Sequence, residues 1–174
     1  QSGNNRILDM MNRRYTREIY LDRVRKLRAA VPDIGLSADL IVAFPGETET
    51  EFEDTLALSN EVRWDSAFTF IYSPRVGTKA ATLPGQIDPD VASRRIETLI
   101  HQQDQITQEI FQSLIGSKVN VLVSGHARRD ETELTGKSER NISVNFRGTQ
   151  DLIGQIVPVQ ITAASKTTLR GEII

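Results

Sequence analysis

IGLSADLIVAFPGETETEFE, residues 34–53, is the stretch that defines the fold of the first part of this chain. Its apolar run, 40–44, ends at Pro45-Gly46, and a helix follows. Thr48 and Glu51 stand three residues apart at the start of that helix, which is the spacing of a capping box. An apolar strand, a tight turn and a capped helix form the βα unit of a parallel α/β sheet, where ligands bind at the carboxyl ends of the strands.

The residues around this stretch predict the rest of an α/β part. Four segments complete it: a helix from the cap Thr16 to about Ala29, a helix over 49–62, a strand over 66–72 and a helix over 88–114. The strand is apolar on both faces, as expected when both faces are covered. A loop over 73–84 follows it, and long loops at strand ends often carry function. Two strands are too few for a complete sheet, so we expect the second half of a larger fold.

The residues after Gly116 alternate between apolar and polar at every second position. This period predicts five short strands separated by glycines, over 119–124, 133–136, 142–146, 156–162 and 168–174. Five short antiparallel strands indicate a small closed barrel of the OB type, a common nucleic-acid-binding architecture. We therefore predict an α/β part over 1–115 followed by an all-β part over 116–174. A catalytic type of scaffold joined to such a barrel suggests an enzyme that acts on a large polymer.

The composition excludes several classes of site. The chain is 39% hydrophobic and 25% charged, which is typical of a globular protein, and no apolar run approaches the roughly 20 residues of a membrane span. With no signal-peptide pattern, we expect a cytoplasmic protein that does not contact a membrane. The chain has no cysteine, so these residues cannot form disulfides, thiolate zinc sites or iron–sulfur ligation. With only His101 and His126, we expect no metal site.

The charge is distributed unevenly along the chain. Residues 1–115 hold 13 Lys and Arg against 17 Asp and Glu, and residues 116–174 hold 8 against 6. A net +2 on the second part is compatible either with ordinary scatter or with binding of an anion such as nucleic acid. The excess is too modest to decide between the two without a clustered basic patch.

Six segments together identify a family. They read QSGNNRILDMMNRRYT (1–16), ADLIVAFPGETETEFEDT (38–55), FIYSPRVGTKAA (70–81), ELTGKSERNISVNF (133–146), LIGQIVPVQIT (152–162) and LRGEII (169–174). In this order they closely resemble the C-terminal half of the tRNA methylthiotransferases, which are radical S-adenosylmethionine enzymes. The pattern ELTGKSERN followed by VNF looks most like the MiaB-type branch. That branch places a methylthio group on C2 of isopentenyl-adenosine next to the anticodon.

The resemblance implies a fold, two kinds of cofactor and a partner. Residues 1–115 would be the closing part of the radical-SAM partial (βα) barrel, and residues 116–174 the TRAM module, a β-barrel that holds tRNA. Such enzymes use S-adenosylmethionine and two [4Fe-4S] clusters, and we expect a monomer that binds the tRNA anticodon stem-loop. The cluster ligands, including a C-x3-C-x2-C motif, are absent from these residues. We therefore interpret the chain as a fragment that is inactive alone; the alternative is an RNA-binding adaptor without catalytic activity.

The resemblance also implies cofactor contacts in the first part. The candidates are Gln1, Ser2, Arg13, Ser37, Asp39, Val42, Phe70 and Tyr72. Arg13 would pair the carboxylate of the cofactor bidentately, unless it is a solvated charge at a helix end. Ser37 and Asp39 stand at the start of their strand, so a hydrogen-bonded scaffold role is the alternative for both. Val42 belongs to the stretch that packs the adenine ring, although strand core explains it equally.

RNA contacts are expected in the loop after the second strand and in the barrel. The candidates are Arg75, Arg128, Arg129, Lys137, Arg140, Phe146, Arg147 and Arg170. An OB-like barrel needs cations in its loops for phosphates and an aromatic ring for stacking on a base. Phe146 is the candidate ring, with a place in the core as its alternative, and Arg170 is either an RNA contact or a surface charge.

Overall fold

Four α-helices and seven β-strands make up the part of the chain that the computed structural model describes, residues 1–128 and 130–174. The helices are α1 (Asn5–Met10), α2 (Arg17–Ala30), α3 (Glu49–Val62) and α4 (Pro89–Ser113). The strands are β1 (Ser37–Val42), β2 (Ser66–Ile71), β3 (Lys118–Ala127), β4 (Asp130–Ser138), β5 (Ser143–Arg147), β6 (Ile156–Ala164) and β7 (Leu169–Ile173). Two compact units result. The first unit comprises Gln1–Pro32 and Leu36–Ile106, and the second comprises Asp33–Gly35 and Thr107–Ile174.

The start of α3 follows the local rules that the sequence indicates. The hydroxyl of Thr48 accepts a hydrogen bond from the N–H of Glu51, and the Glu51 carboxylate accepts one from the N–H of Thr48. This is the predicted capping box, and it satisfies N–H groups that have no partner inside the helix. Gly46 precedes the cap with φ 76°, a conformation that glycine adopts without strain.

The core of the first unit lies on one face of a parallel two-stranded sheet. β1 and β2 pair in register from Ser37 opposite Ser66 to Val42 opposite Ile71. Along β1, Leu40 and Val42 are buried against the helices, where they pack with residues that include Phe52, Trp64 and Leu99. The opposite face of the sheet is open, with Phe68 62% and Phe70 51% exposed. The prediction that both faces of the second strand are covered is therefore wrong for these residues, because only one face has helices.

The second unit is a closed barrel with the strand order β3-β4-β5-β7-β6. All neighbouring pairs are antiparallel except β5 and β7, which are parallel. The prediction of five antiparallel strands is wrong at this pair. Five strands cannot alternate in direction all the way round a closed ring, so at least one pair must be parallel. The order of an α/β part followed by a small closed barrel is confirmed.

The interior of the barrel is filled by alternate residues of its strands. Its fully buried members include Val121, Leu134, Val144 and Phe146, and Phe111 from the end of α4 joins them. At Gly136 the strands come very close, since a Cβ added there would lie 2.3 Å from the carbonyl oxygen of Leu122. Glycine is therefore required for the barrel to close tightly at this position.

Two further predictions concern the whole chain. The end of α4, from Thr107, belongs to the same compact unit as the barrel. The predicted domain boundary between 115 and 116 stays a prediction, because compactness does not decide where a domain ends. Among the helices that the structure describes, none is both long and apolar enough to cross a bilayer.

Candidate functional site

The carboxyl edge of β1, residues 43–47, is fixed by a buried carboxylate. Glu47 is 3% exposed, and its Oε2 accepts hydrogen bonds from the N–H of Ala43 at 2.7 Å and from Nη1 of Arg95 at 2.9 Å. Burial raises the pKa of Glu47, while the bond from Ala43 and the charge of Arg95 oppose the rise. Ala43 has φ 59°, a conformation unusual for a residue with a side chain, and the hydrogen bond that its N–H donates to Glu47 holds it there.

Arg95 connects this edge to α4. Its Nη1 also donates to the carbonyl oxygen of Glu47 at 3.1 Å, and its Nη2 donates to Oε2 of Glu49 at 3.0 Å. The sequence analysis did not select Arg95. A signal was present, because Arg95 occupies a position of the buried stripe of α4 between Ala92 and Leu99, where an apolar residue is expected. A charge at such a position indicates a buried partner.

Two further contacts hold the same edge. The N–H of Gly46 donates to the carbonyl oxygen of Gly85 at 2.7 Å, which fastens the end of the loop after β2. Nη2 of Arg6 donates to the carbonyl oxygen of Gly46 at 2.7 Å, and the same guanidinium pairs with Glu51. The turn after β1 is therefore held in place from α1, α4 and the loop.

The open face of the sheet carries three predicted cofactor residues. Ser37 and Asp39 alternate with buried residues along β1, so they project from the open face, and both are exposed. Phe70 projects from the same face of β2, where its backbone partner in β1 is Ile41. These side chains form one surface that leads to the carboxyl edge, where parallel sheets bind ligands.

Two other predicted cofactor residues project elsewhere. Val42 is fully buried on the helix side of the sheet, so its side chain cannot reach a ligand on the open face. Ser2 is 2% exposed, and its hydroxyl bonds to the hydroxyl of Thr55 at 3.3 Å. The side chains of Val42 and Ser2 therefore do not make the predicted cofactor contacts, because both lie in the core beside α3.

Unsatisfied polar atoms lie near the carboxyl edge. The carbonyl oxygen of Gln1 accepts from the N–H of Ile41 at 3.0 Å, which places Gln1 beside β1. The side-chain Oε1 of Gln1 and the hydroxyl of Tyr72 are buried and have no hydrogen-bond partner in the described part of the chain. Tyr72 follows β2, and its ring packs edge-on against Phe44 at 5.1 Å. Buried polar atoms without partners are uncommon and are available to a ligand.

Two of the remaining predicted residues of the first unit are exposed. Arg13 lies in the segment between α1 and α2. Arg75 lies in the loop after β2, where its carbonyl oxygen accepts a hydrogen bond from the Thr78 hydroxyl at 2.7 Å. Their predicted roles stay predictions.

One outward face of the barrel brings together three predicted RNA contacts, and we name it the β4–β5–β7 face. Lys137 on β4 donates to the Ser143 hydroxyl at 3.0 Å. Arg147 on β5 pairs across the ladder with Glu133, and Nη2 of Arg170 on β7 lies 3.4 Å from Oε2 of Glu133. Lys137, Arg147 and Arg170 are all exposed, so three cations are accessible on this face, which also carries the acids Glu133 and Glu172.

The other predicted RNA contacts are placed differently. Phe146 is 1% exposed and fills the interior of the barrel, so the prediction that its ring stacks on a base is wrong in this structure. The period of two that made its strand recognisable also turns Phe146 inward. Arg128 is exposed in the turn after β3, and Arg140 is partly buried in the turn after β4. The prediction for Arg129 lies outside the described residues.

The described residues offer no ligand set for a metal or an iron–sulfur cluster. The chain has no cysteine. Within residues 1–128 and 130–174, no group of three or more His, Asp or Glu side chains is placed to hold a metal ion. The residues of this chain therefore do not fit a [4Fe-4S] cluster.

Comparisons with known proteins match two separate parts of the chain. Residues 1–59 match the model of the radical SAM superfamily, and residues 112–174 match that of the TRAM domain. Three curated relatives are each 47% identical over all 174 residues, and they come from Moorella thermoacetica, Alkaliphilus oremlandii and Clostridium novyi. Each bears the name tRNA-2-methylthio-N(6)-dimethylallyladenosine synthase. The chain spans 39%, 37% and 38% of their respective lengths.

Proposed function

The chain belongs to the tRNA methylthiotransferase family of radical S-adenosylmethionine enzymes, and from this premise we propose that it is part of a longer enzyme that methylthiolates tRNA. The substrate position would be C2 of isopentenyl-adenosine next to the anticodon. The observation that carries the proposal is 47% identity over the whole chain to synthases of that product. No observation favours the alternative of a non-catalytic adaptor.

The first unit would hold S-adenosylmethionine at its carboxyl edge. Its residues fit such a ligand, since Gln1 and Tyr72 have buried polar atoms without partners, and Asp39 is exposed on the open face. Gln1 and Asp39 would bind polar groups of the ligand, and the Phe70 ring would cover its apolar part. Arg13 would pair with its carboxylate. When bound and supplied with one electron by a cluster outside this chain, S-adenosylmethionine would provide radical chemistry, with methionine as the leaving group.

The cluster chemistry would come from residues outside this chain. Because the chain has no cysteine, we assign no reaction step to its own residues through a cluster. We propose that the longer enzyme holds two [4Fe-4S] clusters, as the family resemblance implies. The part of it described here would position S-adenosylmethionine and the RNA.

The second unit would hold the tRNA. Its β4–β5–β7 face carries Lys137, Arg147 and Arg170, and cations of this kind neutralise phosphates and position a nucleic acid without reading its sequence. We propose that the RNA bound is the anticodon stem-loop, and that the enzyme is a cytoplasmic monomer. The exposed Arg75, in the loop after β2, would contact the RNA near the modified base.

A chimera tests the proposed function. In the Moorella thermoacetica relative, the 174 aligned residues are replaced by this chain. The chimera is reconstituted anaerobically with iron and sulfide and supplied with tRNA that carries isopentenyl-adenosine. We expect methylthiolated nucleoside in digests analysed by mass spectrometry. An Asp39→Ala version should bind tRNA normally but form much less product.

Two measurements make a negative result interpretable. Iron content and cluster absorbance show whether the chimera carries its clusters, and a gel-shift measurement shows whether it binds tRNA. A chimera that carries clusters and binds tRNA yet forms no product would contradict the proposed function.

A further inference from the structure

The positive charge of the first unit is concentrated in α2 and the turn before it. Seven of the 13 Lys and Arg within residues 1–115 lie between residues 13 and 28, where Glu18 and Asp22 are the acids. This segment has a net charge of +5, whereas the rest of residues 1–115 holds 6 Lys and Arg against 15 Asp and Glu, a net of −9. The segment is therefore a basic strip on an acidic unit, and we name residues 13–28 the basic strip.

Part of this charge has a structural role. Arg17 pairs with Glu61 at 3.1 Å, and Lys26 pairs with Asp22 at 2.7 Å. Arg28 donates to the carbonyl oxygen of Val62 at 2.7 Å. The contacts of Arg17 and Arg28 fix α2 alongside α3, because the two residues stand near opposite ends of α2, whereas the pair of Lys26 and Asp22 lies within α2.

The remaining arginines of the strip have no such role. Arg13, Arg14, Arg23 and Arg25 are exposed, and among the described residues their guanidinium groups form no hydrogen bond or ion pair. The apolar side of α2 is occupied, since Val24 is buried and Tyr20 and Leu21 pack against the core. The guanidinium groups of Arg23 and Arg25 therefore extend from the sides of α2 that face solvent, and those of Arg13 and Arg14 lie in the exposed turn before the helix.

We propose that the basic strip binds the phosphate backbone of RNA through Arg14, Arg23 and Arg25. The inference rests on the proposed function, which supplies an RNA partner, and it adds a second contact surface besides the β4–β5–β7 face. Arginine suits phosphate because its planar guanidinium donates two parallel hydrogen bonds to it. The acidic remainder of the unit repels a polyanion, so the strip directs the backbone to one path.

The direction of α2 agrees with such a path. Arg14 stands just before the cap Thr16, close to α1. The hydrogen bond from Arg6 to Gly46 places α1 at the carboxyl edge. From there α2 runs beside α3 over its 14 residues, about 21 Å at the rise of an α-helix. A backbone bound along the strip would therefore lead toward the edge where the ligand binds.

The test uses the complete 174-residue chain and an unmodified tRNA. Affinity is measured over a series of salt concentrations for the wild type, for Arg23→Gln with Arg25→Gln, and for a control pair, Lys79→Gln with Arg94→Gln. Both pairs remove two exposed positive charges from the first unit. We name the Arg23→Gln with Arg25→Gln variant the α2 pair. We expect the α2 pair to bind tRNA more weakly and to flatten the slope of log affinity against log salt by about 1 to 2. The control pair should leave the slope unchanged.

Further variants separate the possible outcomes. Arg23→Lys with Arg25→Lys keeps the charge and should retain most of the affinity, which excludes a folding defect as the cause. If Lys137→Gln with Arg147→Gln weakens tRNA binding while the α2 pair does not, the inference fails and the proposed function stands. If the wild type shows no salt-dependent affinity for tRNA, both fail. Equal losses of tRNA affinity in the Arg23→Gln with Arg25→Gln variant and in the control pair would also overturn the inference. The inference would likewise be overturned if the Arg23→Gln with Arg25→Gln variant lost binding to anionic phosphatidylserine vesicles while its tRNA affinity stayed unchanged.

Discussion

At the residue scale, a buried ion pair joins Arg95 of α4 to Glu47 of the turn after β1. Both side chains are withdrawn from water, with exposed fractions of 5% and 0%. Such a pair adds little net stability over an apolar replacement of both residues, but removing one member leaves the other charge buried and unpaired. The pair also holds the turn after β1, so its loss would disturb the carboxyl edge at which we propose that the ligand binds.

We predict that Arg95→Met lowers the free energy of unfolding by about 3 to 5 kcal/mol at neutral pH. The loss should be smaller in acid. Burial already raises the pKa of Glu47, so the folded state takes up a proton more readily than the unfolded state, and protonation removes the unpaired charge. Urea unfolding at several pH values measures this. The control is the exposed neighbour Arg94→Met, expected to change stability by about 0.5 kcal/mol or less. Equal effects would refute the role of the pair.

Glu51 gives a prediction with the opposite sign. A hydrogen bond from Arg6 lowers its pKa from 4.5 to about 2, although burial opposes the shift. Its stabilising contribution is therefore complete above about pH 5 and is lost as the pH falls toward 2. Glu51→Gln should cost about 1 kcal/mol near pH 7, since Arg6 is half exposed. The difference from wild type should shrink as the pH falls from about 5 toward 2.

Glu53→Gln is the matched control, because it removes an exposed charge from the same helix turn. Glutamine can still form the capping box, so the helix start is preserved. A Glu51→Gln effect that does not vary with pH would show that the ion pair with Arg6 contributes nothing.

At the scale of elements, the β4–β5–β7 face depends on the parallel pair in the barrel. The pairing of β5 with β7 sets Asn145 opposite Arg170, and the pairing of β4 with β5 sets Glu133 opposite Arg147. The two arginines therefore lie around one acidic residue. The charges of Arg147 and Arg170 also help to lower the pKa of Asp130, after the larger effect of its hydrogen bonds from Thr132.

We predict that Lys137→Gln with Arg147→Gln weakens tRNA binding by the complete chain and reduces its salt slope by about 1 to 2. The matched control is Lys118→Gln with Lys166→Gln, which removes two exposed charges from the same unit. Filter binding at several salt concentrations compares the two pairs. The same slope in both would mean that net charge, rather than this face, determines the affinity.

At the scale of the whole molecule, the two units divide the work of the proposed enzyme. The first unit has the open face and the fixed carboxyl edge of an incomplete parallel sheet. The second unit has a complete core of its own, because its five strands close on themselves. The first unit therefore presents surface that another part of an enzyme would cover, whereas the barrel leaves no strand edge unpaired.

We predict that the 174-residue chain alone takes up no [4Fe-4S] cluster and forms no methylthiolated tRNA. The reason is the absence of cysteine. After anaerobic reconstitution and desalting, iron analysis and the visible absorbance spectrum should show no bound cluster, while tRNA affinity is retained. A stoichiometric cluster with its usual absorbance would contradict this prediction.

The sequence by itself determined the local elements and the family. The capping box of Thr48 and Glu51, the period of two after Gly116 and the ordered family segments each depend on residues close together in the chain. They therefore predict α3, the strands of the barrel and the kind of protein. Charge counts also separated the two parts, although they concealed the basic strip by averaging it with the acids around it.

Only the tertiary structure decided which distant residues meet and which face each side chain takes. Arg95 reaches Glu47 across 48 positions because α4 packs beside the turn after β1. Lys137 and Arg147 share a face because β4 pairs with β5, and Arg170 joins them because the barrel closes through the parallel pair of β5 and β7. Phe146 turns inward and Phe70 stays open, although both are aromatic residues of apolar strands. Burial depends on what packs against a face, and the sequence of the strand itself does not contain that information.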